Sequence, residues 1–382
     1  MADFTLTTDQ GDLVNLAAKF AKNEMSPVAA KFDKERAFPH EIYLKLFQLG
    51  LMNPRIPGDY GGAGLGLFDE CLLTEEFAYA CAGMTTTMIA TSTALDTIIH
   101  NGTPEQKQEF LPPFTRELAF ASFCLTEPDF GSDAGSLTTH AKREGDSYII
   151  NGSKRFVTNA PHSALFIVFA TVDSSKKRHG ISAFAVPKES DGLFIGKELG
   201  RMGHRASSTA DVGFNNVKVP AGNLLGKEGD GLKIALATLN RTRTLIASAA
   251  VGLARSAMDY ALDYSLKRVQ FDTPIANFEA TQLKIANMAQ DITASRLLAW
   301  NAAMKLDKCE DAAKESTYAK CFASDMAMKT AIEAVQIYGG YGYTKDYPVE
   351  KLMRDAKLLQ IFGGVNEILK LGVARQMIKS KT

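Results

Sequence analysis

The chain has 382 residues, 46% of them apolar and 23% charged, with lysine plus arginine matching aspartate plus glutamate at 43 each. That length and composition predict a globular protein of two or three substructures, and zero net charge excludes the basic excess of a polyanion-wrapping protein. No run reaches the ~18 uninterrupted apolar residues of a membrane span, and "MADFTLTTDQ" has neither the basic nor the apolar region of a secretory signal.

Residues 1–118 read as a helical domain. "DLVNLAAKFAKNEM" and "HEIYLKLFQLG" carry amphipathic spacing, and "FDECLLTEEFAYACAG" with "TTTMIATSTALDTIIHNG" is long and largely apolar. Between them "NPRIPGDYGGAGLGL" reads as a loop. "TPEQKQEFL" opens with Thr103 as cap, Pro104 at the first helical position and Gln106 completing a capping box. From 119 to 228 the period becomes alternating. "SYIINGSKRFVTN" predicts a hairpin turning at Asn151-Gly152, and "ALFIVFATV", "ISAFAVP" and "ADVGFNNVKVP" continue as strands. From 229 to 382 long helical segments return, enough for a bundle. The fold class is α+β in helical, β, helical order, without βαβ alternation and without a GxGxxG after a strand.

Five cysteines without a CxxC, and six histidines without ligand spacing, predict reduced thiols in a cytoplasmic protein and no metal site. "FCLTEPDFGSDAG" lies where helix gives way to strand. Its backbone N–H groups and Ser132 suit a phosphate or the edge of a polar ring, and the same residues equally suit a structural turn.

Taken with "RMGHRASS", "RTRTLIASAAVGLARSAMDYALDYSLKRVQF" and "QIYGGYGYTKDYPVEKLMRDAKLLQIFGG", this stretch resembles the acyl-CoA dehydrogenase family, collinearly over nearly the whole chain. The resemblance implies an N-terminal helical domain, a middle β-domain, a C-terminal four-helix bundle, a homotetramer and bound FAD. Flavin contacts are implied at Phe123, Leu125, Thr126, Ser132, Phe156, Val157 and Thr158, with Phe156 in place of a common tryptophan. Arg268, Phe271, Gln282, Gln336, Gly339 and Gly340 match positions that serve the adenosine half from a neighbouring subunit. Val365 and Glu367 are implied near the cofactor. For the acyl-CoA substrate, Ser132, Asn240, Arg243 and Gly364 match, with Asn240 replacing an aspartate. Electron-transferring flavoprotein is the implied electron acceptor.

The resemblance breaks at the catalytic base. Gly363 stands where the family places a glutamate, and Thr242 occupies the alternative seat. Losing a positioned base costs roughly 10²–10⁴ in rate. Glycine keeps the backbone N–H that helps hold the thioester oxygen, and is expected to free volume above the flavin for a bulky acyl group. Asp96, inside an apolar helix with Ile89, Ser92 and Ile99 near its face, is the candidate replacement base, with a pKa expected to be raised by apolar surroundings. Gly363, Thr242 and Asp96 together resemble the cyclohex-1-ene-1-carboxyl-CoA dehydrogenases of anaerobic aromatic and alicyclic metabolism. Three rivals stand beside that reading. They are a saturated alicyclic or branched acyl-CoA dehydrogenase with another base, a reductase, and a non-catalytic acyl-CoA-binding flavoprotein. Glu127, Glu75 and Glu76 are expected to be structural, and His204 to be a loop residue without a partner.

Overall fold

The computed structural model describes residues 4–379. Helices come first: α1 (Thr8–Phe20), continued by a π turn into α2 (Ser26–Glu35), then α3 (His40–Gln48), α4 (Leu67–Asn101), α5 (Pro104–Phe110) and α6 (Pro113–Arg116). The two apolar segments foreseen after residue 67 form the single helix α4, non-helical only at Cys81. It is buried on nearly every side, because α7 packs along it and the first strand closes over it. The Thr103–Gln106 capping box is present in both directions.

The middle layer holds β1 (Phe120–Cys124), β2 (His140–Glu144), β3 (Ser147–Thr158), β4 (Ser163–Thr171), β5 (Ile181–Pro187), β6 (Leu193–Glu198), β7 (Thr209–Pro220) and β8 (Leu224–Leu225). They join one sheet in the order β6-β7-β3-β2-β4-β5-β8, with β1 parallel to β4. The expected turn at Asn151-Gly152 is corrected. The β2–β3 hairpin turns at 145–146, pairing Glu144 with Ser147, and β3 runs on through Gly152 as an irregularity against β7. A side chain at Gly152 would sit 2.7 Å from the Thr139 Cα, so glycine serves close backbone approach there rather than reversal.

Helices return with α7 (Gly231–Lys267), then the short pair β9 (Val269–Gln270) and β10 (Thr273–Pro274), and α8 (Glu279–Asp307), α9 (Ala313–Tyr338), α10 (Pro348–Leu359) and α11 (Asn366–Lys379). Alanines at 247, 250, 254, 257 and 261 keep the buried face of α7 small, which lets α9 approach it closely. Among the described residues no helix is long and apolar enough to cross a membrane.

Candidate active site

The site is built where α7 meets α4 on one side and the loop between α10 and α11 on the other. Arg243 of α7 is buried. Its Nε donates to the Gly363 carbonyl at 3.1 Å and its Nη1 donates to Asn240 Oδ1 at 2.6 Å. Burial pulls its pKa down to about 10. One residue earlier Thr242 shares a 3.0 Å hydroxyl contact with Thr93 of α4, and a turn before that Thr238 meets Thr97. Both seats at which a base was sought are therefore structured without a carboxylate.

At Gly363 the backbone has φ +68°, and at Gly364 φ +103°. Among the described residues the N–H groups of Gly363, Gly364 and Val365 donate to no protein acceptor. Successive free N–H groups in such a turn form a concavity for a carbonyl or oxyanion. The expected free volume is corrected, because a Cβ on Gly363 would lie 2.4 Å from Ile246 Cδ1. The isoleucine tip fills the place that glycine leaves.

Asp96 is 1% exposed, so it is neither in bulk water nor in the apolar setting expected of it. Arg55, from the loop before α4, donates Nη1 to Asp96 Oδ1 at 2.5 Å, Nη2 to Ser92 Oγ and Nε to Glu70 Oε2. His100 Nε2 lies 3.1 Å from the same Oδ1, and Arg241 Nε lies 3.9 Å from Oδ2. Burial alone would raise the carboxyl's pKa. Arg55 first, then His100 and Arg241, more than offset it and hold Asp96 below the ordinary carboxylate range. The raised value is thus corrected to a lowered one. Oδ2 is buried without a hydrogen-bond donor. Asp96 approaches α7 beside Arg241, Gly363 approaches it at Arg243, and Thr242 stands between.

Under the loop, His204 is buried. Thr86 Oγ1 lies 2.7 Å from its Nδ1, the Asp355 carbonyl lies 2.8 Å from its Nε2, and its N–H donates to Asp355 Oδ1. It is partnered, contrary to expectation. Burial lowers its pKa, which favours the neutral ring, and that ring lies 6.4 Å from the ring of Phe362. Glu127 accepts from Lys154 at 2.8 Å and from Thr138 and Thr139, so it holds the turn that follows β1. Glu75 and Glu76 pair with Arg255, and Glu75 also with Arg296. Among the described residues no cluster of His, Cys, Asp and Glu could hold a metal.

The sequence matches the acyl-CoA dehydrogenase N-terminal domain over residues 7–117, the middle domain over 122–217 and the C-terminal domain over 229–378. The chain belongs to the acyl-CoA dehydrogenase family. It is 41% identical to an acyl-CoA dehydrogenase of Bacillus subtilis (strain 168), with 98% of this chain and 99% of that one covered. It is 40% identical to the 3-(aryl)acrylate reductase of Clostridium sporogenes (strain ATCC 15579), over 97% and 99%. Butyryl-CoA dehydrogenase from Megasphaera elsdenii superposes with a TM-score of 0.96 at 38% identity, covering 99% of this chain and 100% of that one. As an acyl-CoA dehydrogenase the chain is an oxidoreductase acting on CH–CH groups, and the cofactor of the family is FAD.

The residues present suit that cofactor. Phe156 takes φ +58° and leaves its ring 60% exposed on the sheet, beside half-buried Thr158 and in reach of the Thr126 turn. An exposed ring held on a rigid strand is a platform for a planar group. Phe123 and Leu125 are half-buried, Ser132 is exposed, and Val157 is buried in the sheet, leaving only its backbone to offer. The other implied contacts gather at the far end of α7. There Arg268, Gly339 and Gly340 line one pocket, Phe271 is 91% exposed, and Gln282 and Gln336 are exposed. Val365 and Glu367 flank the start of α11.

Sequence reasoning missed Arg55, Lys320 and Asn366. Arg55 sat in a stretch read only as a loop. Lys320 and Asn366 carry no motif, although Lys320, Ser324 and Asp325 share one face of α9 at helical spacing.

Proposed function

We propose that this acyl-CoA dehydrogenase acts on a conjugated alicyclic thioester of the cyclohex-1-ene-1-carboxyl-CoA class, with Asp96 as proton acceptor. Bound FAD supplies the hydride-accepting chemistry. The observation that carries the reading is the buried carboxylate oxygen Asp96 Oδ2, which lacks a hydrogen-bond donor and lies 3.9 Å from Arg241 Nε, next in sequence to the Thr242 seat. Arg55 and His100 occupy Oδ1 and keep the group ionised, so it stands ready to accept a proton at neutral pH. An ionised acid of lowered pKa is a weak base. A 1-ene thioester suits it, because the double bond transmits the carbonyl's acidity to an allylic ring carbon. The N–H groups of 363–365 polarise the carbonyl, Asp96 takes a proton from one allylic carbon, and a hydride leaves another ring carbon. The ring then becomes a diene by 1,4-elimination.

Arg243 and Asn240, with Ser132 and Gly364, are assigned to the CoA arm and thioester. We assign Arg268, Phe271, Gln282, Gln336, Gly339 and Gly340 to the adenosine half of a cofactor seated on a neighbouring copy in a tetramer. Electron-transferring flavoprotein is the proposed electron acceptor, and the cytoplasm the proposed location.

The lowered pKa of Asp96 favours a second reading, in which the aspartate is only a counter-ion to Arg55 and the enzyme is a reductase whose proton donor is another group. Anaerobic flavin bleaching by cyclohex-1-ene-1-carboxyl-CoA separates the two. Under the proposal, Asp96→Asn slows bleaching by about 10²–10⁴. Equal rates for the variant and the unaltered protein exclude the base assignment. No bleaching by any thioester, with FAD retained, points instead to a binding protein.

A further inference from the structure

Lys320, on α9, has a side chain with no exposure, yet among the described residues no carboxylate lies within ion-pairing distance of it. Its ammonium donates to the Gly364 carbonyl at 2.7 Å and to Asn366 Oδ1 at 2.8 Å. Taking an ammonium out of water without a counter-ion costs several kcal/mol. Burial, with Arg243 close by, pulls its pKa down to about 8. An apolar side chain of similar length would fill the same space without that cost, so the packing of α9 does not account for a lysine here.

The loop it touches does. Residues 360–366 leave α10 and enter α11 through two glycines of positive φ, the least constrained backbone in the site. Both mouths of the loop are tied to one residue of α9. Gln360 Nε2 donates to Asp325 Oδ1 at 2.7 Å, and Asn366 Nδ2 donates to the same oxygen at 2.8 Å. At the loop's centre Arg243 holds the Gly363 carbonyl and Lys320 holds the Gly364 carbonyl. In a planar peptide the N–H points opposite the C=O. Two cations drawing two successive carbonyls inward therefore turn the N–H groups of Gly364 and Val365 away from them, beside the free N–H of Gly363.

We propose that Lys320 is a positioning residue for the reaction: its buried ammonium fixes the Gly364 carbonyl so that the 363–365 backbone presents its N–H groups to the thioester oxygen. No side chain at position 363 is available to steady the loop, and the lysine steadies it from behind. The inference rests on the reading that these N–H groups face the thioester, and it is independent of Asp96.

The test uses the FAD-loaded enzyme and a 3-oxoacyl-CoA. Enolisation of that bound thioester needs a polarised carbonyl but no dehydrogenation, and its enolate absorbs in the ultraviolet. The expected result for Lys320→Met is an enolate fraction lower by about 10–100-fold, somewhat less than outright loss of an oxyanion donor. The kcat on a dehydrogenated substrate falls in parallel while KM changes little, and Lys320→Arg recovers part of both. If Lys320→Met does not fold, Lys320→Gln serves. It keeps a neutral donor on α9 but removes the ammonium, with a loss of the same kind and smaller size. Enolisation at the unaltered level in the folded variant overturns the role of Lys320. Absence of enolisation in the unaltered protein overturns the underlying reading of the loop, and the proposal with it.

Discussion

At Gly363 the backbone selects the residue before any chemistry is considered. A φ of +68° disfavours a side chain, and the Ile246 Cδ1 stands 2.4 Å from where its first carbon would go. Restoring a glutamate there is therefore not a simple gain of a base. Gly363→Glu is expected to destabilise the holoenzyme by about 1–3 kcal/mol, read as a lower Tm, from left-handed strain and the displaced methyl. Adding Ile246→Val removes the clashing carbon and recovers part of that loss, more than the two single changes predict together. A Gly363→Glu enzyme with an unchanged Tm would show that the loop relaxes freely. The absence of a carboxylate at both seats was legible in the sequence, because the flanking motifs are strong enough to align the gap. The surroundings of Asp96 were not. Its helix reads as apolar, and the guanidiniums that reverse its pKa come from residue 55 in a loop and residue 241 on another helix.

Among the elements, helices announced themselves through their period and caps, and the middle strands through alternation. The error at Asn151-Gly152 has a physical source. The pair satisfies a tight turn in isolation, but here Asn151 Oδ1 accepts from the Asn216 N–H of β7, and the strand continues past it. The turn after β1 depends on a charge pair that spacing alone does not reveal. Lys154, in the middle of β3, is fully buried and reaches both Glu127 and the Leu125 carbonyl. Burial opposes ionisation of Glu127, but Lys154 and the Thr138 and Thr139 donors outweigh it and bring the pKa from 4.5 to about 2. A folded-state pKa below the unfolded one means that this pair stabilises above pH 4.5, and that the gain is lost as pH falls from 4.5 toward 2. Glu127→Gln is therefore expected to lower Tm at pH 7 and to flatten the acid limb between those values. Parallel Tm–pH curves for the variant and the unaltered protein would show that the pair contributes nothing specific.

On the proposed assignments α7 organises the whole molecule: the residues assigned to the thioester lie in its first half, and those assigned to the adenosine half lie just past its end. Thr242 and Arg268 are 26 residues apart on or next to one helix, which at 1.5 Å per residue is roughly 39 Å. In the proposed site the exposed Phe156 ring is the flavin-side half and the Arg268–Gly339–Gly340 pocket the adenosine-side half. A cofactor bridging both ends within one chain would have to run the length of the bundle, whereas two copies packed in opposite directions bring one start beside the other's end. In the proposed tetramer, closed symmetry would make every such site a shared one. Phe156→Asp breaks only the first half-site and Arg268→Glu only the second, so each variant alone is expected to retain little FAD. Co-expressed, the two form mixed assemblies in which about a quarter of the sites combine two intact halves, and flavin content recovers to that share. Flavin absorbance per protomer, measured after purifying the mixed assembly through tags on both variants, gives the answer. A cofactor held entirely within one chain predicts no recovery, because every chain in the mixture carries one broken half.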